Sequence, residues 1–192
     1  MKKIFFIAAA ALCICCCGNR NNGGAQDESA AAEVEAADAV SDLDAEHAKE
    51  CLRYGSAAPE FTIPRLDGGE LSLADLKGMY VVLDFWASWC KDCRADLPKM
   101  KEAFERFGST GVEFVGISLD DDRAAWEAAV KEFDLKYIQV SEGKKWADST
   151  VAPLFGIKWI PTMYLISQDG NVLLATVQID KLIDKLAEVT GL

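Results

Sequence analysis

From about residue 56 onward, short apolar runs alternate with helical stripes, and this alternation predicts the elements of an α/β domain. Residues 58–64 alternate apolar and polar positions with Pro59 and Pro64 near the margins, the habit of an edge strand. Asp67-Gly68-Gly69 marks a turn, and Glu70-Leu71 can pair back to close a small hairpin. Ser72 with Asp75 three residues on reads as a capping box opening one helical turn, which Gly78 ends. The apolar run 80–86 is a strand. The period then changes, and Leu97, Met100, Ala103, Phe104 and Phe107 share one face of a helix over 94–107. Pro98 inside that helix removes a backbone bond and is expected to kink it. Residues 112–119 are nearly continuously apolar, as in a central parallel strand. Asp120-Asp121-Asp122 caps a helix over 123–133 with Trp126, Ala129, Val130 and Phe133 inward, a cap in preference to a metal site. A short strand over 137–140 and an irregular to helical stretch over 145–155 follow. Strands 162–166 and 172–176 are joined by the turn Gln168-Asp169-Gly170-Asn171. A last helix begins after Asp180, with Leu182, Ile183, Leu186 and Val189 on one face.

This order predicts a central mixed β-sheet flanked by helices over residues 56–192, with an N-terminal β-hairpin extension. A unit of that length can bury a real core. There is no internal repeat.

The first 55 residues have another character. Lys2-Lys3 precedes an apolar stretch over 4–14, and Cys13, Cys15, Cys16 and Cys17 come before Gly18-Asn19-Arg20. Residues 1–17 read as an export signal, too short to span a bilayer comfortably. Its cysteine-rich end resembles a bacterial lipoprotein signal, in which one Cys becomes the lipidated N-terminus. Cys17 is the first choice, with Cys16 and Cys15 as alternatives, and an ordinary cleaved signal is the other reading. Residues 18–55 are rich in Ala, Asp, Glu and Gly and read as an acidic flexible tether. Such a tether has a typical reach of roughly 35 Å. Nine acids against one Lys lie between Asp27 and Glu50, so most of the net charge of −11 belongs there and says little about substrate. Residues 51–192 carry 16 basic and 22 acidic side chains, which argues against nucleic acid. Cys51, alone at the end of the tether, reads as a free or partly covered thiol.

The chemistry concentrates in Cys90-Lys91-Asp92-Cys93, where the strand 80–86 turns into the helix. Two residues between cysteines can mean a redox pair or half of a zinc site. Cys90 falls at the helix N-terminus, where free N–H groups and the dipole favour an anion, so its thiol should lie below the usual value of about 8.5. Cys93 sits one turn in, behind an exposed Cys90.

The residues Asp84-Phe85-Trp86-Ala87-Ser88-Trp89-Cys90-Lys91-Asp92-Cys93, Pro98 and Trp159-Ile160-Pro161-Thr162 together resemble the thioredoxin superfamily. Residues 58–61, 72–78 and 115–120 are similar to its TlpA/ResA-like branch of extracytoplasmic, often membrane-tethered thiol-disulfide oxidoreductases. The resemblance implies that Cys90 is the attacking thiolate, that Cys93 resolves the mixed disulfide, and that Pro161 is a cis-proline facing the pair. The backbone of Ile160 would then pair with a substrate strand. Trp89, Trp159 and Ile160 would form an apolar contact surface, while Trp86 packs in the core. Asp84, six positions before Cys90 in an apolar strand, would have a raised pKa and serve as general base for the resolving thiol. An Asp turned outward at a strand end is the alternative. Thioredoxins tend to place a Lys on the neighbouring strand, where this chain has Gly116. Asp96 is either a second modulator of the cysteines or a solvent-facing acid. Lys91 would favour a nearby thiolate and Asp92 oppose it, and a Pro common before the second Cys is absent.

Rival chemistries meet specific obstacles. A peroxidase of the peroxiredoxin type expects a Thr two residues before its reactive Cys, and here Ser88 and Trp89 precede Cys90. A copper chaperone expects a wider cysteine spacing and a distant His, and the sole His is His47. Structural zinc needs a second ligand pair. The expectation is therefore an exported dithiol–disulfide exchanger acting as a reductant, with no metal and no cofactor. A redox-inactive or peroxidase-like binding protein of the cell envelope is the alternative. Its partners would be disulfide-containing exported proteins, including apocytochrome c, and a membrane thiol donor of the DsbD/CcdA kind. It is expected to act as a monomer, periplasmic and held to a membrane by a lipid anchor.

Overall fold

The computed structural model describes residues 43–192. The signal segment, Cys17 and most of the expected tether lie outside the described residues. Two sheets are present: a hairpin of β1 (Thr62–Pro64) and β2 (Glu70–Ser72), and a five-stranded sheet. The latter contains β3 (Tyr80–Trp86), β4 (Val112–Ser118), β5 (Ile138–Ser141), β6 (Thr162–Ile166) and β7 (Val172–Thr176) in the order β5-β4-β3-β6-β7. β3 runs parallel to β4 and antiparallel to β6, so the expected mixed sheet is present, with the strand leading to Cys90 at its centre.

The central place of β3 follows from its composition. Val81, Val82, Leu83, Phe85 and Trp86 are β-branched, aromatic or bulky residues buried on both faces of the sheet. The long helix α2 (Lys91–Phe107) buries Cys93, Leu97, Met100, Ala103 and Phe107, the stripe its spacing predicts. It continues through Pro98, which lies on the exposed face. Helix α3 (Arg123–Glu132) starts at an Asp122 cap that accepts from the backbone N–H of Ala124 and Ala125. The short α4 (Val151–Leu154) and the closing α5 (Ile179–Thr190) complete the order.

The hairpin extension is shorter than residues 58–64 suggest, because only Thr62–Pro64 pairs with β2. It docks on the edge of the main sheet, where Leu66 N donates to Gln139 O at 2.9 Å.

The larger difference concerns residues 43–55, expected to be tether. They are packed against the domain. Helix α1 (Leu43–His47) places Asp44 where it accepts from Thr176 Oγ1 at 2.9 Å and Val177 N at 2.8 Å and pairs with Lys181 at 2.6 Å. Leu52 N donates to the Tyr164 hydroxyl at 3.0 Å, and Gly55 N to Val172 O at 2.8 Å. Glu50 crosses so close to Gly156 that a Cβ there would stand 2.0 Å from the Glu50 carbonyl oxygen; Gly156 also has φ +64°. Most of these attachments are polar and backbone contacts, and the few apolar ones, Cys51 and Leu52 against the core, form no stripe in the sequence to announce them. Cys51, within this segment, is a half-buried free thiol. Burial pushes its pKa up, with the Tyr164 hydroxyl opposing and Asp44 adding to the rise.

Candidate active site

Strand β3 ends at Trp86, residues 87–89 turn, and Cys90 becomes the N-cap of α2. Cys90 and Cys93 are joined as a disulfide, and Cys93 N donates to Cys90 Sγ at 3.1 Å. That N–H is one of the free donors of the helix start, aimed at the sulfur that would carry charge after reduction. The bond is less open than expected. Cys90 is 7 % exposed and Cys93 2 %, so Cys90 is the more accessible sulfur without being an exposed one.

The cover comes from the segment before β6. The Ile160–Pro161 peptide is cis, and the Ile160 carbonyl oxygen lies 3.7 Å from Cys90 Sγ. Thr162 Oγ1 donates to Trp159 O at 2.7 Å and so fixes the start of this turn. The Ile160 side chain is buried, which removes it from the expected contact surface and leaves its backbone at the sulfur. Trp89 and Trp159, by contrast, are 57 % and 39 % exposed on either side, and Trp86 is fully buried. Each exposed indole has a partner not foreseen: Trp146 stands against Trp89 with centroids 6.4 Å apart, and His47 of α1 stacks on Trp159 at 4.0 Å. Lys91 and Asp92 are exposed.

Asp84 is a buried carboxyl within β3, not an outward strand-end residue. Burial raises its pKa to about 7, against a hydrogen bond from the Tyr137 hydroxyl at 3.4 Å and with the help of Asp96. Asp96 lies on α2 one turn after Cys93, and Asp84 lies in the strand that leads into the Cys90 turn. Asp96 is half-buried, and its own pKa is raised by burial, with Lys99 opposing and Asp180 and Asp92 adding.

Opposite Asp84 on β4 stands Gly116, and opposite Gly116 on β5 stands Gln139. A Cβ on Gly116 would lie 2.5 Å from Gln139 Oε1, so the Gln139 amide occupies the space where thioredoxins tend to place a Lys. Gln139 Oε1 accepts from Trp86 Nε1 at 3.2 Å.

The sequence reading missed a further residue. Asp120 does not cap α3. It is buried and accepts from Ser88 N at 2.9 Å, Ser88 Oγ at 2.6 Å and Ser118 Oγ at 2.7 Å. These bonds hold the turn that presents Trp89 and Cys90. Its place as the first of three consecutive acids, with only the third needed as a cap, was the available signal.

Among the described residues, no group of three or more His, Cys, Asp or Glu side chains could hold a metal ion. None of their helices is long and apolar enough to cross a membrane.

Residues 54–175 match the AhpC/TSA family. Over 125 residues the chain is 34 % identical to the thiol-disulfide oxidoreductase ResA of Bacillus cereus (strain ZK / E33L), an alignment covering 65 % of this chain and 69 % of that protein. Among solved structures, a thiol-disulfide oxidoreductase from Bacteroides fragilis is similar with a TM-score of 0.66 and 34 % identity, over 70 % of this chain and 99 % of that one. The thioredoxin domain of a thiol-disulfide oxidoreductase from Bacteroides vulgatus is similar with a TM-score of 0.67 and 29 % identity, over 72 % of this chain and 99 % of that one.

Proposed function

The chain belongs to the AhpC/TSA family and is a ResA-like thiol-disulfide oxidoreductase with a thioredoxin-like fold, and from that premise we propose that it reduces disulfides of exported proteins. The observation that carries the reading is the Cys90–Cys93 pair at a helix N-terminus, faced by a cis-proline turn and preceded in β3 by a buried carboxyl of raised pKa.

The exchange begins with the reduced pair. The Cys90 thiolate, favoured by the Cys93 N–H and the helix start, attacks one sulfur of a client disulfide. The client S–S bond breaks, a Cys90–client bond forms, and one client sulfur leaves as a thiolate that takes a proton from water. Asp84 then accepts the Cys93 proton, and the Cys93 thiolate attacks Cys90 Sγ. The mixed disulfide breaks, the second client thiolate leaves, and Cys90–Cys93 is left oxidised. Two electrons pass from the protein to the client. Lys91 and Asp92 modulate the first thiolate, and Asp96 acts through Asp84. Trp89 and Trp159 receive the client, whose backbone runs against Ile160.

A membrane thiol donor of the DsbD/CcdA kind would restore the dithiol, and apocytochrome c is one candidate client. The signal-like residues 1–17, with Cys17 as the lipidated residue, support an exported, lipid-anchored protein at the cell envelope, and we propose that it works as a monomer. Insulin-disulfide reduction by the purified protein against Cys90→Ser tests the activity. Equal rates would remove Cys90 from the reaction. Equilibration of the pair in glutathione buffers tests direction. A potential near about −270 mV fits a reductant, and one near about −120 mV makes the protein an oxidant.

A further inference from the structure

Asp84 has unusual company for a buried acid near a dithiol. Asp84, Gly116 and Gln139 form one cross-strand row over β3, β4 and β5, and residues paired in this way project to the same face of the sheet. Tyr137 precedes Gln139 by two positions and shares that face. Gly116 has no side chain, so the row contains a slot, and the Gln139 amide lies across it. One end of that amide is held, because Trp86 Nε1 donates to Gln139 Oε1 at 3.2 Å. The other end, Gln139 Nε2, is buried and makes no hydrogen bond among the described residues, and Tyr137 lies two positions before it on the same face. The hydroxyl in turn faces Asp84 Oδ2 at 3.4 Å. Two buried polar pairs, Trp86 with Gln139 and Tyr137 with Asp84, thus share this face of the sheet.

The other groups around Asp84 do not replace the Tyr137 hydroxyl. On β6 its cross-strand neighbour is Met163, which does not titrate, and on β4 it is Gly116. Helix α2 brings Asp96, and an acid disfavours a carboxylate on Asp84. Lys99, also on α2, is engaged with Asp180 of α5 at 2.6 Å.

We propose that Tyr137 is the positioning residue that keeps Asp84 able to act as a base near neutral pH, with Gln139 filling the slot left by Gly116 and so bounding the space beside the phenol. The phenol donates to the carboxylate and stabilises it before Cys93 gives up its proton. When the proton moves from Cys93 Sγ to Asp84, the acceptor loses its charge and the Tyr137 bond weakens. Tyr137 keeps its own proton throughout, since burial, foremost, and the Asp84 charge hold its pKa well above the usual phenol value. This proposal rests on the reading of Asp84 as the base for Cys93.

The test is stopped-flow tryptophan fluorescence of the reduced protein mixed with excess 2-hydroxyethyl disulfide, from pH 5 to 9. The phase whose rate is independent of disulfide concentration reports Cys93 attacking Cys90, beside Trp89. In Tyr137→Phe the pH midpoint of this phase should rise, so that the rate at pH 6 falls about three- to tenfold while the plateau at high pH is retained. Gln139→Ala should shift the midpoint the same way by a smaller amount. A folded Tyr137→Phe with the native midpoint, or with a uniform loss at every pH, overturns the proposal. Should Tyr137→Phe fail to fold, an unshifted midpoint in Gln139→Ala overturns it. Asp84→Asn separates the two readings. If it keeps the native rate and profile, Asp84 is not the base. If it is slow while Tyr137→Phe is unshifted, only the role of Tyr137 falls.

Discussion

Replacing Asp84 by Asn in the oxidised protein should stabilise it, and by an amount that depends on pH. The folded carboxyl titrates at about 7, whereas an aspartate in an unfolded chain titrates at about 3.9. Between these values the folded state holds a proton that the unfolded state has lost, so unfolding becomes easier as pH rises. A difference of about three units corresponds to about 4 kcal/mol lost from the wild type between pH 4 and pH 8. Asn is neutral throughout and close in shape to the protonated acid, so the two proteins should be nearly equal in stability near pH 4. At pH 8 the variant should lead by about 3–4 kcal/mol. The assay is guanidinium unfolding with the Cys90–Cys93 bond intact, at unit steps from pH 4 to 8, followed by tryptophan fluorescence. The disulfide form is required because free thiols would titrate in the same range. Carboxylates that do not interact with Asp84 affect both proteins alike and cancel in the difference, whereas the repulsion from Asp96 is part of the Asp84 effect. A stability difference that stays constant across this range would refute the argument, since Asp84 would then titrate alike in both states. The residue is thus held at a cost to the fold, the mark of a site retained for chemistry.

Asp120→Ala would leave Ser88 N, Ser88 Oγ and Ser118 Oγ without their acceptor and should lower stability by about 2–3 kcal/mol in denaturant unfolding, with Asp120→Asn far milder. A neutral Ala variant would mean that these bonds do not hold the active-site turn. Gly156→Ala should drive residues 43–55 off the domain, because the added Cβ meets the Glu50 backbone. Limited proteolysis would then cut within 43–55 faster than in the wild type, and equal cutting rates would contradict the packing described. Glu142 works in the opposite sense from Asp84. Burial alone would raise its pKa, but bonds from Ser149, Thr150, Val151 and Lys144 outweigh this and hold it at about 2. Its contribution is complete above the unfolded value of about 4.3 and is lost as pH falls through about 2. Glu142→Gln should therefore flatten the pH dependence of stability below pH 4.5, and an unchanged acid transition would exclude this role.

Much of the fold was legible because burial leaves a local signature. A strand covered on both faces must be continuously apolar, as Val81 to Phe85 show around the exception of Asp84, and a helix covered on one side must carry a stripe, as Leu97, Met100, Ala103 and Phe107 do. The same signatures set Cys90 at a helix start, since strand and helix periods meet there. What escaped depended on distance in sequence. Asp120 reaches Ser88 across 32 positions, and Tyr137 reaches Asp84 across 53. Asp44 reaches Thr176 across 132 and converts expected tether into packed chain. A single polar residue has no periodicity, so nothing in its own neighbourhood says which distant group it will meet.

The sequence by itself therefore determined the alternation of strands and helices, the dithiol at a helix N-terminus, and the presence of an acid in the strand that leads to it. Each of these follows from residue type at short spacing, where sterics, propensity and the helix dipole act. Only the tertiary structure decided that Gly116 opens a slot beside Asp84, that Gln139 fills it, that Tyr137 meets the Asp84 carboxyl, and that His47 covers one face of Trp159. Those outcomes depend on strand register and on where the chain before residue 56 comes to rest. Both are set by the sum of long-range contacts, because a strand's partner and offset are chosen by the whole core and not by the strand alone.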